Sequence, residues 1–457
     1  MSASVNQKGT EGALHWWSGV TGYQWLVLAL AGGAWLFDNL DQRLFSLARI
    51  PALTNLMAGA GAPEVQAFGK IVTALFLIGW GIGGLTIGAL GDRFGRVRLL
   101  VISVLLYSVG TGFTAISTSA WQFALLRFLT GVGIGGVFGL AAAILTDTAS
   151  GRARVAMLAI LQLLSVVGNI GAALTKMGVD SLAAAGTIEA ASSWRWLFAI
   201  GALPALLAVL AAWKLDEPDP WQQLRDSGNL PKGWFGSYRD LLTSRDDRRN
   251  LIIGTLLAIS GVIGLWGIGE YAVDLQHAVF TAFFTQQHPG ADITAQVANA
   301  KNWAYLLQMI GAAIGMLAFT WIANSWGRRP AFMFGFAAAF FVTLLVYARL
   351  QNPTDAYWMM LVMGIAQFSV FAGFSIYLPE LFGSRVRGTG VSFAYNLGRF
   401  AAAAGSFLSA RLATDVFGDF PMPEPLRYSA MVMCSIFVVG FVAAILAPET
   451  RGRELRQ

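Results

Sequence analysis

Gly91-Asp92-Arg93-Phe94-Gly95-Arg96-Val97-Arg98 stands between two long apolar runs, and a partial echo, Asn324-Ser325-Trp326-Gly327-Arg328-Arg329, follows in the second half of the chain, with Asn324 aligned against Asp92. Three arginines in one turn between two membrane spans must lie in water, on the side where Lys and Arg accumulate, normally the cytoplasm. The echo places a second turn on that side. Together the two stretches indicate a membrane protein built by duplication.

Composition agrees. Of 457 residues, 56% are hydrophobic and 12% charged, about half the charged share of an ordinary soluble domain. The formal net charge of +6 is spread as short basic clusters between apolar runs, which is a topological pattern rather than a nucleic-acid-binding stripe. Cys434 is alone inside an apolar run, so no disulfide framework or cysteine-based metal site is expected, and His15, His277 and His288 lack ligand spacing. No small-residue cleavage site follows a short apolar core near the N-terminus, so the first apolar run is expected to stay as a span.

Runs long enough to cross about 30 Å of hydrocarbon number twelve. The first six are Gln24 to Phe45, Ala67 to Leu90, Leu99 to Ser117, Trp121 to Leu145, Val155 to Met177 and Arg195 to Leu215. The second six are Leu251 to Val273, Trp303 to Ala323, Ala331 to Tyr347, Tyr357 to Pro379, Thr389 to Ala413 and Ser429 to Ala447. The expected fold class is an all-α membrane protein of twelve transmembrane helices in two pseudo-symmetric six-helix bundles. Its expected divisions are a cytoplasmic N-terminus 1–23, an N-terminal bundle 24–215, a linker 216–250 with six basic and seven acidic residues, a C-terminal bundle 251–447 and a tail 448–457. The basic clusters at Arg93 to Arg98, Arg152 to Arg154, Arg328-Arg329 and Arg385 to Arg387, and in the tail, then share the cytoplasmic face.

The segment Gly88-x-x-x-Asp92-Arg93-x-Gly95-Arg96-x-Arg98 resembles the loop signature of the major facilitator superfamily. Arg127-x-x-x-Gly131-x-Gly133-x-Gly135, Trp194-Arg195-Trp196, Tyr377-Leu378-Pro379-Glu380-Leu381-Phe382 through Arg387-Gly388, and Pro448-Glu449-Thr450-Arg451-Gly452 are similar to segments of its sugar-porter and metabolite:proton symporter branches. The resemblance implies a major facilitator fold, secondary active transport, and contact of Asp92 with the start of span eleven near Thr389-Gly390 when the inner side is shut. A cytoplasmic gate is thereby expected from Gly88, Asp92, Arg93, Gly95, Arg96, Asp147, Arg154, Gly327, Arg328, Glu380 and Arg387. The second loop departs from the pattern, with Asn324 and Ser325 where an acid and an arginine are preferred. Ser150 likewise stands in a proline position.

Gly131-Val132-Gly133-Ile134-Gly135-Gly136 satisfies a dinucleotide-binding pattern, but no strand precedes it, so its small residues read as a helix-packing surface. Charges inside spans are the functional candidates. Asp38 lies fourteen residues into span one, about 21 Å, and Arg127 six residues below the outer end of span four, about 9 Å, so the two can meet. A resembling pair carries protons in proton-coupled sugar porters. Asp41, one turn farther out, competes with Asp38, because aromatic-acid symporters resemble this segment as Asp-x-x-Asp. Arg399, about 15 Å into span eleven, sits near the midplane where it can clamp a substrate carboxylate or be neutralised by Glu270 or Asp274.

Gln162, Asn169, Gln308, Gln367, Tyr395 and Asn396 are the polar residues at workable depth for a solute, with Trp80, Trp266 and Phe371 as candidate apolar walls. Gln162 followed by Gly168 resembles the span-five glutamine of sugar porters. Span seven lacks their paired glutamines, however, and span ten has Ser375 where they place tryptophan. The chain is therefore read as a proton-coupled symporter importing a small organic acid, aromatic acids included, with a sugar transporter as the alternative and a non-transporting sensor of the same fold behind it. It is expected to be a monomer in a bacterial inner membrane, to bind no nucleic acid, and to need no cofactor or metal. A membrane enzyme would need a nucleophile or metal cluster, which the sequence does not offer.

Overall fold

A computed structural model describes residues 16–233, 236–290 and 292–456, without the side chains at 62, 63, 266, 270, 271, 295, 403, 406, 407 and 410. His15 therefore lies outside the described residues. Among the described residues the regular structure is helical throughout. The N-terminal half consists of α1 (Gly22–Leu56), α2 (Ala62–Phe94), α3 (Arg96–Ala115), α4 (Ala120–Thr148), α5 (Gly151–Ala184), α6 (Ser193–Ile200) and α7 (Pro204–Lys214). Two short helices, α8 (Asp219–Asp226) and α9 (Gly236–Thr243), follow. The C-terminal half is α10 (Arg245–Val262), α11 (Gly269–Gln287), α12 (Thr294–Ser325), α13 (Arg328–Arg349), α14 (Pro353–Leu381), α15 (Arg387–Arg411), α16 (Glu424–Met433) and α17 (Ile436–Leu446).

Side chains fix where several helices start. Thr21 and Gln24 form a reciprocal capping box on α1, and Ser119, Ser244 and Asn352 each accept a backbone N–H of the first turn of α4, α10 and α14. Three expected spans are interrupted. The sixth breaks at Gly201 before Pro204, whose ring cannot continue the ladder. The seventh passes through a π-helical turn, Ile263–Ile268, flanked and lined by Gly261, Gly264 and Gly267. The twelfth breaks at Cys434.

Ten helical segments among the described residues are long and apolar enough to cross a membrane. α1 and α15 complete the twelve crossings, and both are threaded by charge: Asp38, Asp41, Arg43 and Arg49 on one, Arg387, Arg399 and Arg411 on the other. Large apolar side chains face outward, among them Leu206 at 67%, Phe341 at 67% and Trp213 at 79% exposure. Only a hydrocarbon solvent accommodates such a surface.

The duplication is visible atom by atom. Gly95 and Gly327, related by the same offset as Asp92 and Asn324, both adopt positive φ, 115° and 121°, which a residue with a Cβ rarely does. Behind each, a glutamate caps the next helix. Glu217 accepts the N–H groups of Arg96, Val97 and Arg98 at 2.7, 3.1 and 3.0 Å, and Glu449, its equivalent at that offset, accepts those of Arg328 and Arg329 at 2.9 and 3.0 Å. Arg195 donates to the carbonyls of Ala115 and Ser117 beyond α3, and Arg427, again at the matching position of the second half, donates to Tyr347 and Leu350 at the end of α13.

Close helix contacts repeat in the same way. In the first half Gly79 and Gly83 lie against the backbone of Phe128 and Val132; in the second, Gly311 and Gly315 lie against Leu361 and Ile365. A Cβ at any of these four positions would overlap a carbonyl. Gly131 and Gly135 of the glycine-rich stretch pack likewise against the backbone of α2, which is the helix-packing role expected for them.

Candidate functional site

Where the two bundles meet at the end that carries the arginine-rich loops, Asp92 at the end of α2 accepts the backbone N–H of Gly388 at 3.0 Å and the N–H and hydroxyl of Thr389, both at 2.7 Å. These are the open donors of a helix N-terminus, which favours an anion. Arg96 donates to Asp92 at 3.2–3.3 Å, pairs with Asp147 and reaches the Ser384 carbonyl of the other bundle. Arg387 crosses in the opposite sense, pairing with Asp147 and donating to the carbonyls of Pro379 at 3.1 Å and Arg456 at 3.1 Å.

In the C-terminal bundle Arg328 grips Glu380 through Nε at 3.1 Å and Nη2 at 2.8 Å. Glu380 and Arg328 are the charges acting on Arg154, across the bundle boundary. Arg93 donates outward to the Pro231 carbonyl at 2.6 Å, and the Trp221 indole N–H donates to the Asp92 carbonyl at 2.9 Å. These contacts tie the two bundles together at this end of the molecule.

Above this mouth, α2 and α15 run antiparallel with contacts every three or four residues. Gly388 faces Asp92, with 2.8 Å from Asp92 Oδ1 to the place a Cβ would take; Gly88 faces Ser392, Gly84 faces Asn396 and Gly81 faces Phe400. The seam ends at Arg399, whose guanidinium carbon lies 3.3 Å from the Trp80 ring centroid and 4.8 Å from that of Tyr395. Tyr395 stacks on Phe138 at 4.1 Å, with Trp35 beside both.

Arg127 does not pair with Asp38, contrary to the expectation from depth. Its Nη1 lies 3.4 Å from Asp41 Oδ2, and its remaining donors go to the hydroxyls of Thr111, Thr114 and Thr130 at 2.8–3.2 Å. Asp41 also accepts from Thr111 at 2.7 Å. Helix phase decides this outcome: Asp38 and Asp41 differ by about 60° around the axis as well as about 4.5 Å along it, and Asp41 has the phase that faces α3 and α4.

Asp38 points elsewhere. It is fully buried, and among the described residues neither carboxylate oxygen has a hydrogen-bond partner. The charges that act on it are Arg399, first, and Asp41. Among the described residues Arg399 has no carboxylate within ion-pair distance, and its Nε is also without a partner. Gln162 Oε1, Gln367 Oε1, Asn396 Oδ1 and the Trp35 indole nitrogen are further buried polar atoms in that condition. Such atoms are rare in protein interiors; these four sit on α1, α5, α14 and α15, and others lie on α2, α3, α4 and α10.

The remaining expected residues divide. Asn396 donates to the Gly135 carbonyl at 3.3 Å across the seam, Gln367 donates to Thr343 at 3.0 Å, and Asn169 donates back to Ser165 at 2.9 Å within its own helix. Gln308 is half-buried on α12. Asp274 is associated with Lys301 and His277 rather than with Arg399. The side chains of Glu270 and Trp266 lie outside the described residues. Sequence reading missed Trp35 and Arg43 of α1. A charge five residues beyond Asp38 on the same span was the available signal for Arg43.

The sequence matches the family model described as Major Facilitator Superfamily over residues 50–406. The cis,cis-muconate transport protein of Acinetobacter baylyi (strain ATCC 33305 / BD413 / ADP1) is 27% identical over 421 residues, 91% of this chain and 92% of that protein. The niacin transporter NiaP of the same strain is 23% identical over 461 residues, 95% and 96% of the two chains. Among solved structures, the proton:xylose symporter XylE bound to 6-bromo-6-deoxy-D-glucose shares the fold with a TM-score of 0.75 at 19% identity, over 95% of this chain and 98% of that one. With the family model covering well over half of its length and the duplicated helical frame in place, this multi-pass membrane protein belongs to the Major Facilitator Superfamily of transporters.

Proposed function

We propose that the protein is a proton-coupled symporter that imports a small organic acid, with Arg399 binding the carboxylate and Asp38 carrying the proton. One observation carries the reading: among the described residues the buried Arg399 guanidinium has no acid within ion-pair distance, the buried Asp38 carboxyl has no hydrogen-bond donor, and Arg399 is the foremost charge acting on Asp38. A charge left alone in a membrane interior is costly. An anion on Arg399 and a proton on Asp38 would neutralise both groups, so the two ligands favour each other's binding, which is the thermodynamic content of symport.

The aromatic rings of Trp80, Tyr395, Phe138 and Trp35 suit a planar acid, since they provide flat apolar walls beside the cation. Relatives named for muconate and niacin transport support an acid as the solute class. A neutral sugar would leave Arg399 unmatched. The cytoplasmic network of Asp92, Arg96, Asp147, Arg387, Thr389, Arg328, Glu380 and Arg154 acts as the inner gate, broken and re-formed as the bundles rock about the central site. The setting proposed is a bacterial cytoplasmic membrane.

Uptake into proteoliposomes tests the reading. Nicotinate, cis,cis-muconate and a panel of sugars are offered with and without an inward proton gradient. Acid accumulation that requires the gradient is expected; gradient-driven sugar uptake without acid uptake contradicts it.

A further inference from the structure

We propose that Arg43 and Tyr305 form a second, outer anion-binding site, where a carboxylate arriving from outside replaces the Tyr305 ring as partner of the Arg43 guanidinium before moving in to Arg399. This rests on the organic-acid reading above. Arg43 belongs to α1 and Tyr305 to α12, so their contact bridges the two bundles: the guanidinium carbon lies 4.2 Å from the ring centroid. Arg43 Nε is buried and has no hydrogen-bond partner among the described residues. The nearest acid on its own helix, Asp41, is taken by Arg127 and Thr111.

Helix lengths put the two residues at one level. Arg43 is 21 residues from Gly22, about 31 Å along α1, and Tyr305 is 20 residues from the inner end of α12 at Ser325, about 30 Å. Arg399, 12 residues from Arg387, stands about 18 Å along α15. The Arg43 site is thus about 13 Å outward of the central one. A solute descending from outside meets Arg43 first.

The ring face attracts the cation but accepts none of its five N–H donors in a directed bond. A carboxylate offers two parallel charge-assisted hydrogen bonds, a stronger and better-directed partner. Binding there competes with the contact that joins α1 to α12, so the arriving anion also releases the outer bridge. The site therefore favours acids over neutral solutes before they reach the centre.

The test uses the full chain in oriented proteoliposomes, with nicotinate and cis,cis-muconate as probes, and compares KM for uptake from the outer side with KM for efflux from the inner side. Arg43→Gln is expected to raise the outer KM about tenfold, the net loss when the paired charge-assisted hydrogen bonds that replace the ring contact are removed, while the inner KM is unchanged. Arg43→Lys, which keeps the charge without the fork, falls between the two and serves if Arg43→Gln does not fold. Tyr305→Ala, which removes the competing ring, lowers the outer KM. An outer KM at the wild-type value in Arg43→Gln, or equal shifts on both sides, overturns the outer site while leaving the organic-acid reading standing. Failure of the wild type to take up either acid overturns both.

Discussion

Asp41 holds Arg127, Oδ2 to Nη1 at 3.4 Å with both side chains at 0% exposure, while Asp38, three residues earlier on α1, is fully buried with neither carboxylate oxygen bonded among the described residues. One acid thus fastens α1 to α4 inside the N-terminal bundle. The other is the proposed proton carrier.

The first consequence concerns stability. Removing one partner of a buried pair leaves an uncompensated charge, so Asp41→Ala should lower stability by about 3 kcal/mol, at the modest end because three threonine hydroxyls still serve Arg127. The double variant Asp41→Asn with Arg127→Gln should recover most of it. Thermal unfolding in detergent measures both, and a destabilisation confined to Asp38 variants would reverse the assignment.

Arg399 is the proposed carboxylate clamp. Its replacement by Ala should raise KM for the transported acid about tenfold to a hundredfold, the contribution of charge-assisted hydrogen bonds. Arg399→Lys should restore only part, because an ammonium cannot present the planar fork. Initial uptake rates against acid concentration give the values, and an unchanged KM in Arg399→Ala would remove it from the site.

Much of this was legible in the sequence, and the limits have physical causes. The arginine-rich loop, its echo and the span count follow from local hydropathy and charge, so the duplicated frame was readable, and Asp92 meets Gly388 and Thr389 within a residue of the expected place. The choice of Asp41 over Asp38 turns on helix phase, which a depth estimate along the axis does not register. The π-helical turn at Ile263–Ile268 and the contact of Arg43 with Tyr305 depend on what neighbouring helices present, and no window of the sequence carries that. Arg427 went unnoticed because its motif differs from the one around Arg195, although the carbonyl-capping geometry is shared.

The proposed inner gate should loosen when its central acceptor is removed. Asp92→Ala deletes the acceptor of three donors at the start of α15, enough to move an open–closed equilibrium toward the inward-open state by about tenfold or more. Thr389→Val should act in the same direction more weakly. Distances between spin labels at Arg98→Cys and Arg329→Cys, both exposed and one on each bundle, in a Cys434→Ala background report the populations. An unaltered distance distribution would limit Asp92 to a topological role.

Glu449 provides a pH signature outside the membrane. Burial pushes its carboxyl upward, but four backbone N–H groups, of Arg451, Arg328, Arg329 and Thr450, outweigh burial and hold it below the ordinary glutamate value of 4.5. A carboxyl depressed in the folded state contributes stability above its unfolded value and loses it as pH falls through the folded one. Stability should therefore decline below about pH 4.5, and Glu449→Gln should flatten that acid limb while lowering stability at pH 7. Melting temperatures across pH 3–7 test it; an acid limb identical in the variant would contradict it.

The most direct measurement of the central claim is paired transport by Asp38→Asn in proteoliposomes. Labelled acid is followed once as exchange between equal internal and external pools, and once as net accumulation driven by an inward proton gradient. If Asp38 carries the proton and Arg399 the anion, exchange persists and gradient-driven accumulation is abolished. Accumulation at the wild-type level in Asp38→Asn would contradict the account.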